Sequence, residues 1–291
     1  MENGKDVDVA QAGNVQEQHG DCTVTLVCCY NNASMYYDFA ESLKRQTCPC
    51  KLIGINNEGN RRYTSCAAAY NSVIHDVDTK YVIYSHQDIR LKEKDTLEKF
   101  VRYLDRLNQD DLLGVAGIRF DDEEGIYSNI VQIYSKTGKL HLAGAAYVEG
   151  MIPCDTLDEC FFGGYTEHFL KHPFDEKLCD SWHLYAVERC LNTKVEGRKE
   201  GKENAVYVCD VLLFHLSSGN VNSAFVKGFC KICKHYASDF PVIKTTCAGS
   251  KTGTLQRFDF FWYHTNRFYR FMRDIDISVR RAILRALGMD V

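Results

Sequence analysis

Short apolar runs rich in β-branched and aromatic residues alternate with amphipathic stretches through the first 120 residues. Cys22 to Cys29 reads as a strand that breaks at Tyr30-Asn31-Asn32. Ala33 to Gln46 then carries Tyr36, Phe39, Ala40 and Leu43 at helical spacing, with Ser34 as cap. Cys50 to Ile55 is a second strand, stopped by Asn56-Asn57-Glu58-Gly59-Asn60, and Tyr63 to His75 a second helix. Tyr81 to Tyr84 is a third strand, ending in Ser85-His86-Gln87-Asp88, and Asp95 to Asn108 is amphipathic, with Leu97, Phe100, Val101, Leu104 and Leu107 on one face. Strand and helix in alternation, joined by short connections, predict an α/β fold with a mostly parallel sheet and right-handed crossovers.

Beyond the fourth strand, Leu112 to Ile118, the pattern changes. Ile130 to Tyr134 and His141 to Val148 suggest an antiparallel pair about a Thr137-Gly138 turn, and Cys154 to Phe162 opens another strand-rich stretch. Asp180 to Leu191 reads as a helix capped by Asp180 or Ser181, and 192–204 as an exposed Lys/Glu/Gly loop. Val206 to Phe214 is a strand ending at His215. The expected organisation is a polar arm over 1–20, a domain over 21–240 with halves dividing near 120, and a helical aromatic and basic extension over 241–291.

Composition narrows the class. A net charge of −4 gives no reason to expect nucleic acid as a partner. Fourteen cysteines, including the adjacent Cys28-Cys29 on a strand, suit free buried thiols in a reducing compartment better than a disulfide scaffold. With no N-terminal apolar region and no apolar run of the ~18 residues a membrane helix needs, the expected location is the cytosol. The extension interleaves Phe260, Phe261, Trp262, Tyr263, Phe268, Tyr269 and Phe271 with Arg267, Arg270, Arg273, Arg280, Arg281 and Arg285. Such helices can close a core, or lie peripherally on an acidic membrane surface.

Three consecutive strands end in polar clusters, and in open α/β sheets the ligand crevice lies outside such ends. Asp88 is a hard oxygen ligand suited to Mn2+ or Mg2+, and His215, also at a strand end, can complete its shell. A cation there would neutralise a diphosphate leaving group, the central need in transfer from a nucleotide-activated sugar. Tyr30 can stack on a base, while Asn31, Asn32, Asn56 and Asn57 can bond base and ribose. An inverting transfer also needs a base for the acceptor hydroxyl. Asp158, Glu159, Asp180 and His183 are the candidates, the last placed in the first turn of its helix, where the dipole keeps an imidazole neutral. No glycine-rich phosphate loop and no Gly-x-Ser-x-Gly elbow is present, which argues against a nucleotidyltransferase and an α/β hydrolase. Cys230-Lys-Ile-Cys233 lacks the second spaced pair of a structural zinc site.

The order Val-Cys-Cys-Tyr-Asn-Asn, Ile-Gly-Ile-Asn-Asn-Glu-Gly-Asn, Tyr-Val-Ile-Tyr-Ser-His-Gln-Asp-Ile, Phe-Asp-Glu…Trp-His-Leu-Tyr-Ala-Val-Glu-Arg-Cys-Leu and Phe-His-Leu-Ser-Ser-Gly resembles a family 2-like glycosyltransferase. The nearest branch is that of capsule-type sugar transferases, in which Asp-x-Asp reads His-Gln-Asp, here His86-Gln87-Asp88; the match covers roughly 22–220. The resemblance implies a GT-A-type fold whose N-terminal half binds a nucleotide-sugar donor and whose C-terminal half binds a glycan or lipid-linked acceptor. By position Tyr30 and Asn56 match the family's base and uridine contacts, Asp88 the metal-binding aspartate and His215 the late metal or diphosphate ligand. Two departures stand out: Asn56-Asn57 replaces an aspartate common after the second strand, and Trp182-His183 replaces the acidic pair that opens the acceptor-side helix. The second departure keeps open a non-catalytic module of the same fold that binds a nucleotide sugar or glycan.

Overall fold

The computed structural model describes residues 23–121, 125–133, 140–144, 147–217 and 221–268, with positions 271, 275 and 279 of a further helical stretch. The expected arm, the Thr137-Gly138 turn and most of the chain beyond 268 lie outside the described residues. The first half follows the alternation of the sequence: β1 (Val24–Tyr30), α1 (Ala33–Leu43), β2 (Lys51–Asn56), α2 (Cys66–Asn71), β3 (Tyr81–Ser85), β4 (Ile89–Arg90) and α3 (Thr96–Leu104). Then come β5 (Leu112–Gly114), β6 (Ala116–Ile118), β7 (Ile126–Ser128), β8 (Ile130–Ile133), β9 (Leu140–Leu142), β10 (Met151–Cys154), β11 (Thr156–Leu157) and β12 (Phe161–Tyr165). The chain continues with α4 (Thr166–Lys171), α5 (Tyr185–Lys199), β13 (Val206–Cys209), β14 (Leu213–His215), α6 (Ser223–His235), the hairpin β15 (Val242–Lys244) and β16 (Gly249–Lys251), and α7 (Thr254–Thr265).

The main sheet runs β10-β13-β5-β12-β3-β1-β2. β2, β1, β3, β5 and β13 share one direction and β12 and β10 oppose it, so the sheet is mostly parallel as expected. β12 fits between β3 and β5 because Gly163 has no Cβ; one added there would press into the Val82 carbonyl. Apolar side chains cover both faces, Leu26, Phe39, Ile83, Phe100 and Phe161 on one and Val27, Tyr70, Tyr84, Phe162 and Tyr185 on the other. The chain moves from β1 outward to β2 and then back past β1 to β3, so the carboxyl ends of β1 and β3 form the switch point where a crevice opens.

Several boundaries differ from expectation. Asn32, not Ser34, caps α1, its Oδ1 accepting from the Met35 N–H at 3.1 Å. The stretch 63–75 is helical only over α2 and a short 3-10 turn at Ile74–Asp76. Leu112 to Ile118 divides into β5 and β6, which join different sheets, and Val206 to His215 divides into β13 and β14. At the second break Asp210 turns the chain, its N–H bonded to the Gly150 carbonyl at 2.8 Å and its carboxylate to the Tyr103 hydroxyl at 2.7 Å. Most of the expected 192–204 loop is helix: α5 runs on to Lys199, because Lys, Glu and Arg are good helix formers and Gly197 admits Asn204 against the helix.

Candidate active site

Backbone pairing assembles the centre. β4 follows the Ser-His-Gln-Asp turn and pairs antiparallel with β14, setting Ile89 opposite His215. The Asp88 carbonyl accepts the Leu216 N–H at 3.1 Å, so Asp88, His215 and Ser217 converge from segments far apart in sequence. His215 Nε2 lies 3.4 Å from Asp88 Oδ1, and the Ser217 hydroxyl donates to Asp88 Oδ2 at 2.5 Å. β8, parallel to β14, places Gln132 opposite His215 with its Nε2 3.3 Å from His215 Nδ1. His86 approaches from the other side, its Nε2 3.1 Å from the Tyr185 hydroxyl. Nitrogen and oxygen atoms of His86, Asp88 and His215 lie within 4.8 Å of one another. Burial would raise the Asp88 carboxyl, but the His215 imidazole, with His86 and Ser217, overrides it and holds the group well below the carboxylate range. One hard carboxylate with two imidazoles is a donor set that suits a divalent cation.

Gln87 does different work. Its Oε1 accepts the Asn31 and Asn32 N–H groups at 3.1 and 3.0 Å, and its Nε2 donates to Asn31 Oδ1 at 2.8 Å. It ties the ends of β1 and β3 together and shapes a cavity of about 280 Å3 lined by Tyr30, Asn31, Asn57, His86, Gln87 and Asp88. One face of Tyr30 is already taken by Tyr36, stacked at 4.1 Å and 12°. Asn57 is buried and structural: Oδ1 accepts from the N–H groups of Arg62 and Tyr63, and Nδ2 donates to the Tyr63 carbonyl. Asn32 is spent on the helix cap, and Asn56 points outward to Glu58, away from the cavity lining.

A larger cavity of about 570 Å3 adjoins the first; His86 and Trp182 line both. Into it face Gln132, Asp158, Glu159, His183, His215 and Thr246. Two adjacent carboxyl groups are driven apart here. Burial would raise Asp158, yet the Thr246 hydroxyl at 2.5 Å from Oδ2, the two imidazoles and the Cys160 N–H at 3.0 Å hold it low and ionised. Burial, followed by the Asp158 charge, pushes Glu159 well above the ordinary range. The carboxyl of Glu159 faces the N–H groups of Leu184 and Tyr185 at the start of α5, and its Oε1 has no hydrogen-bond partner.

His183 does not sit in a helical turn. α5 begins at Tyr185, with Leu184 as its N-cap residue at φ 72°, so burial rather than a helix dipole lowers the imidazole pKa. Asn222 Nδ2 lies 3.1 Å from His183 Nε2, while Asn222 Oδ1 is held by the Phe225 N–H, which fixes the amide and commits that ring nitrogen as acceptor. Asp180 lies outside both cavities, exposed and ion-paired with Lys231. The structure therefore brings Asp158 and His183 to the cavity and leaves Asp180 out. Gln132, Ser217, Tyr185 and Thr246 were not legible as site residues; only strand pairing and loop packing deliver them. Cys230 and Cys233 lie on α6, and among the described residues no third ligand joins them. Thirteen cysteines are free among the described residues, in line with the expected reduced thiols. α7 packs Phe260 on Phe229 of α6 at 4.8 Å and exposes Leu255, Phe258 and Trp262.

Solved structures of three proteins are similar to this chain. The structure of GalNAc-T7 with UDP, GalNAc and Mn2+ superposes with a TM-score of 0.50 at 10% identity, covering 89% of this chain; the chain spans 57% of that protein. The mannosyltransferase PcManGT of Pyrobaculum calidifontis, solved with GDP-Man and Mn2+, gives 0.47 at 12% identity over 74% of this chain and 63% of its own. Residues 1–349 of S. aureus TarS give 0.47 at 11% identity over 87% of this chain and 73% of their own. No curated protein sequence matches the chain. The profile described as "Glycosyltransferase like family" matches residues 25–208, well over half of the sequence. With the GT-A architecture and the crevice at its switch point, that match means that the chain belongs to the glycosyltransferase-like family and has a GT-A fold.

Proposed function

We propose that this enzyme moves a sugar from a nucleoside diphosphate donor to a hydroxyl of a glycan or lipid-linked acceptor with the help of Mn2+ or Mg2+. The observation that carries the reading is the convergence of Asp88, His215 and His86 at the seam between two cavities. On this reading the half over about 21–120 takes the nucleotide, Tyr30 in the lining of the smaller cavity stacking on the base, and the half over about 121–240 takes the acceptor. Asp88 and His215, with His86 at hand, would hold the cation, which when bound offsets the charge of the leaving diphosphate. The occurrence of UDP and Mn2+ with the same fold in GalNAc-T7 agrees with this.

The acceptor oxygen attacks the anomeric carbon, the bond from that carbon to the diphosphate oxygen breaks, and the hydroxyl proton passes to a base. Asp158 fits that role best, being the ionised carboxylate in the larger cavity, with Thr246 and the Cys160 N–H fixing its orientation. His183 serves less well because Asn222 occupies its Nε2. Burial and the Asp158 charge bias Glu159 towards its protonated form, in which it can donate to the acceptor, the division of labour expected where neighbouring carboxyls titrate apart. Past Cys247 the cavity continues into a groove bordered by Trp262 and Tyr263, whose rings suit a second sugar or a lipid chain.

Donor hydrolysis and transfer assayed with Mn2+ test the reading: Asp88→Ala and Asp158→Asn should each lower turnover by ~100-fold or more. Unchanged turnover in Asp88→Ala removes the metal assignment. The absence of an acidic residue at Trp182-His183 favours a second reading, a module that binds nucleotide sugar or glycan without transfer. Calorimetric binding of uridine or guanosine diphosphate, with no product over a panel of acceptors, would select it.

A further inference from the structure

At the opposite end of β12 from Glu159, a second group of ligands faces one point. α4 carries His168, and His172 follows one turn later at its C-terminal cap, so the two rings share a face, with centroids 5.3 Å apart. Asp110 comes from the turn between α3 and β5, and ligand atoms of all three residues lie within 4.8 Å of one another. We propose that Asp110, His168 and His172 form a Zn2+ site, separate from the catalytic centre, with its fourth position open to water.

The site is held from outside. Asp111 fixes the turn that carries Asp110, its Oδ2 accepting the Asn108 N–H at 2.9 Å and its Oδ1 the Ala205 N–H at 2.8 Å. The His172 N–H bonds back to the His168 carbonyl at 2.8 Å, and the His172 carbonyl accepts from the buried Arg189. Thr193 of α5 stands 3.2 Å from His168 Nε2, the nitrogen facing away from the point of convergence, as a partner that orients a metal-bound imidazole does. His168 Nδ1 and Asp110 Oδ1 are 3.2 Å apart, a separation that an N–H···O bond and two ligands of one metal both allow. Zinc bonds of ~2.0–2.2 Å in a tetrahedron set neighbouring ligand atoms roughly 3.3 Å apart. Two imidazoles and one carboxylate with an open position is a zinc donor set. Access exists because Asp110 and His172 are only partly buried while His168 is enclosed. The nearby cations Arg189 and Lys171 oppose a dication, and the Asp110 carboxylate, with a smaller contribution from Glu196, acts against them. A metal here would clamp α4, α5 and the turn before β5 on the sheet end remote from the crevice.

The test uses the full chain carrying Asp88→Ala, which removes the catalytic cluster as a competing site, stripped with chelator and titrated with ZnCl2. One equivalent should bind, Co2+ in its place should give the intense visible absorption of a tetrahedral site, and zinc should raise the melting temperature. Adding His172→Ala should weaken binding by more than ~10-fold, and Thr193→Val by ~10–100-fold with all three ligands kept. Circular dichroism in metal-free buffer checks that each variant is folded. No zinc bound by the Asp88→Ala protein, or affinity unchanged by His172→Ala, overturns the site and leaves Asp110 and His168 a plain hydrogen-bonded pair. Wild-type transfer with and without zinc is a separate readout, so failure of this site leaves the transfer reading intact.

Discussion

Gln87→Ala tests whether the polar ends of β1 and β3 act as one unit. The native side chain makes three hydrogen bonds across that gap, to the Asn31 and Asn32 N–H groups and to Asn31 Oδ1. A hydrogen bond contributes a net 0.5–1.5 kcal/mol, and bonds whose orphaned partners can turn to water fall at the low end, so the three together are worth about 1–2 kcal/mol. If that free energy holds the nucleotide cavity in its bound shape, its loss lowers donor affinity by ~5–30-fold, since 1.4 kcal/mol corresponds to a factor of ten. Gln87→Glu separates the two contributions. It keeps the acceptor for both N–H groups but loses the donor to Asn31 Oδ1, so stability should fall less than in Gln87→Ala, and it sets a second negative charge beside Asp88 where a diphosphate must lie. Urea denaturation gives the stability, and calorimetry with uridine and guanosine diphosphates in Mn2+ gives the affinity. Native-like melting and donor affinity in Gln87→Ala would refute the argument, because the bridge would then hold nothing that the backbone does not already hold.

Three further perturbations address neighbouring claims. Tyr30→Ala should weaken nucleotide binding by about 1–3 kcal/mol, the worth of a base stacked on an aromatic ring, whereas Tyr36→Leu, on the covered face, should cost stability before affinity; calorimetry and melting distinguish them. Gly163→Ala forces a methyl group into the Val82 carbonyl and should destabilise by about 1–3 kcal/mol in denaturant titration. Glu159 has a folded pKa raised above its ordinary value of 4.5, so its contribution is fully present below that pH and is lost as pH rises towards the folded value. Stability should therefore decline from pH 5 to pH 8 with a slope that Glu159→Gln reduces; an equal slope in the variant would show that Glu159 ionises as freely in the folded chain as in the unfolded one.

Much of this fold was legible because its elements obey local rules. β1, β2 and β3 read as apolar runs, α3 as an amphipathic face, and the three polar strand ends as one edge, since a parallel sheet brings consecutive carboxyl ends together. Helix ends and strand breaks were less legible because they answer to distant groups. Asp210 splits β13 from β14 only through Tyr103 and Gly150, and α5 starts late because Leu184 takes a left-handed backbone that no local signal announces.

The candidate site divides in the same way. Asp88 could be found from its strand end, but its partners lie 127 and 129 positions later, as the numbering of His215 and Ser217 shows, and reach it through the β4–β14 pairing. The base was hardest to place, for a physical reason. The sequence offers Asp158, Glu159, Asp180 and His183 as candidates, while the acidic pair that the resemblance implies at the start of the acceptor-side helix falls on Trp182-His183. In space, the N–H groups that open α5 do face a carboxyl group, but it is supplied by Glu159 from the loop before β12, with the ionised Asp158 next to it. An acidic pair missing from one element weighs less against transfer where the tertiary fold brings Asp158 and Glu159 to the same place, and rescue of an Asp158→Asn enzyme by an exogenous carboxylate such as formate would show that the base, rather than its position in the chain, is what transfer requires.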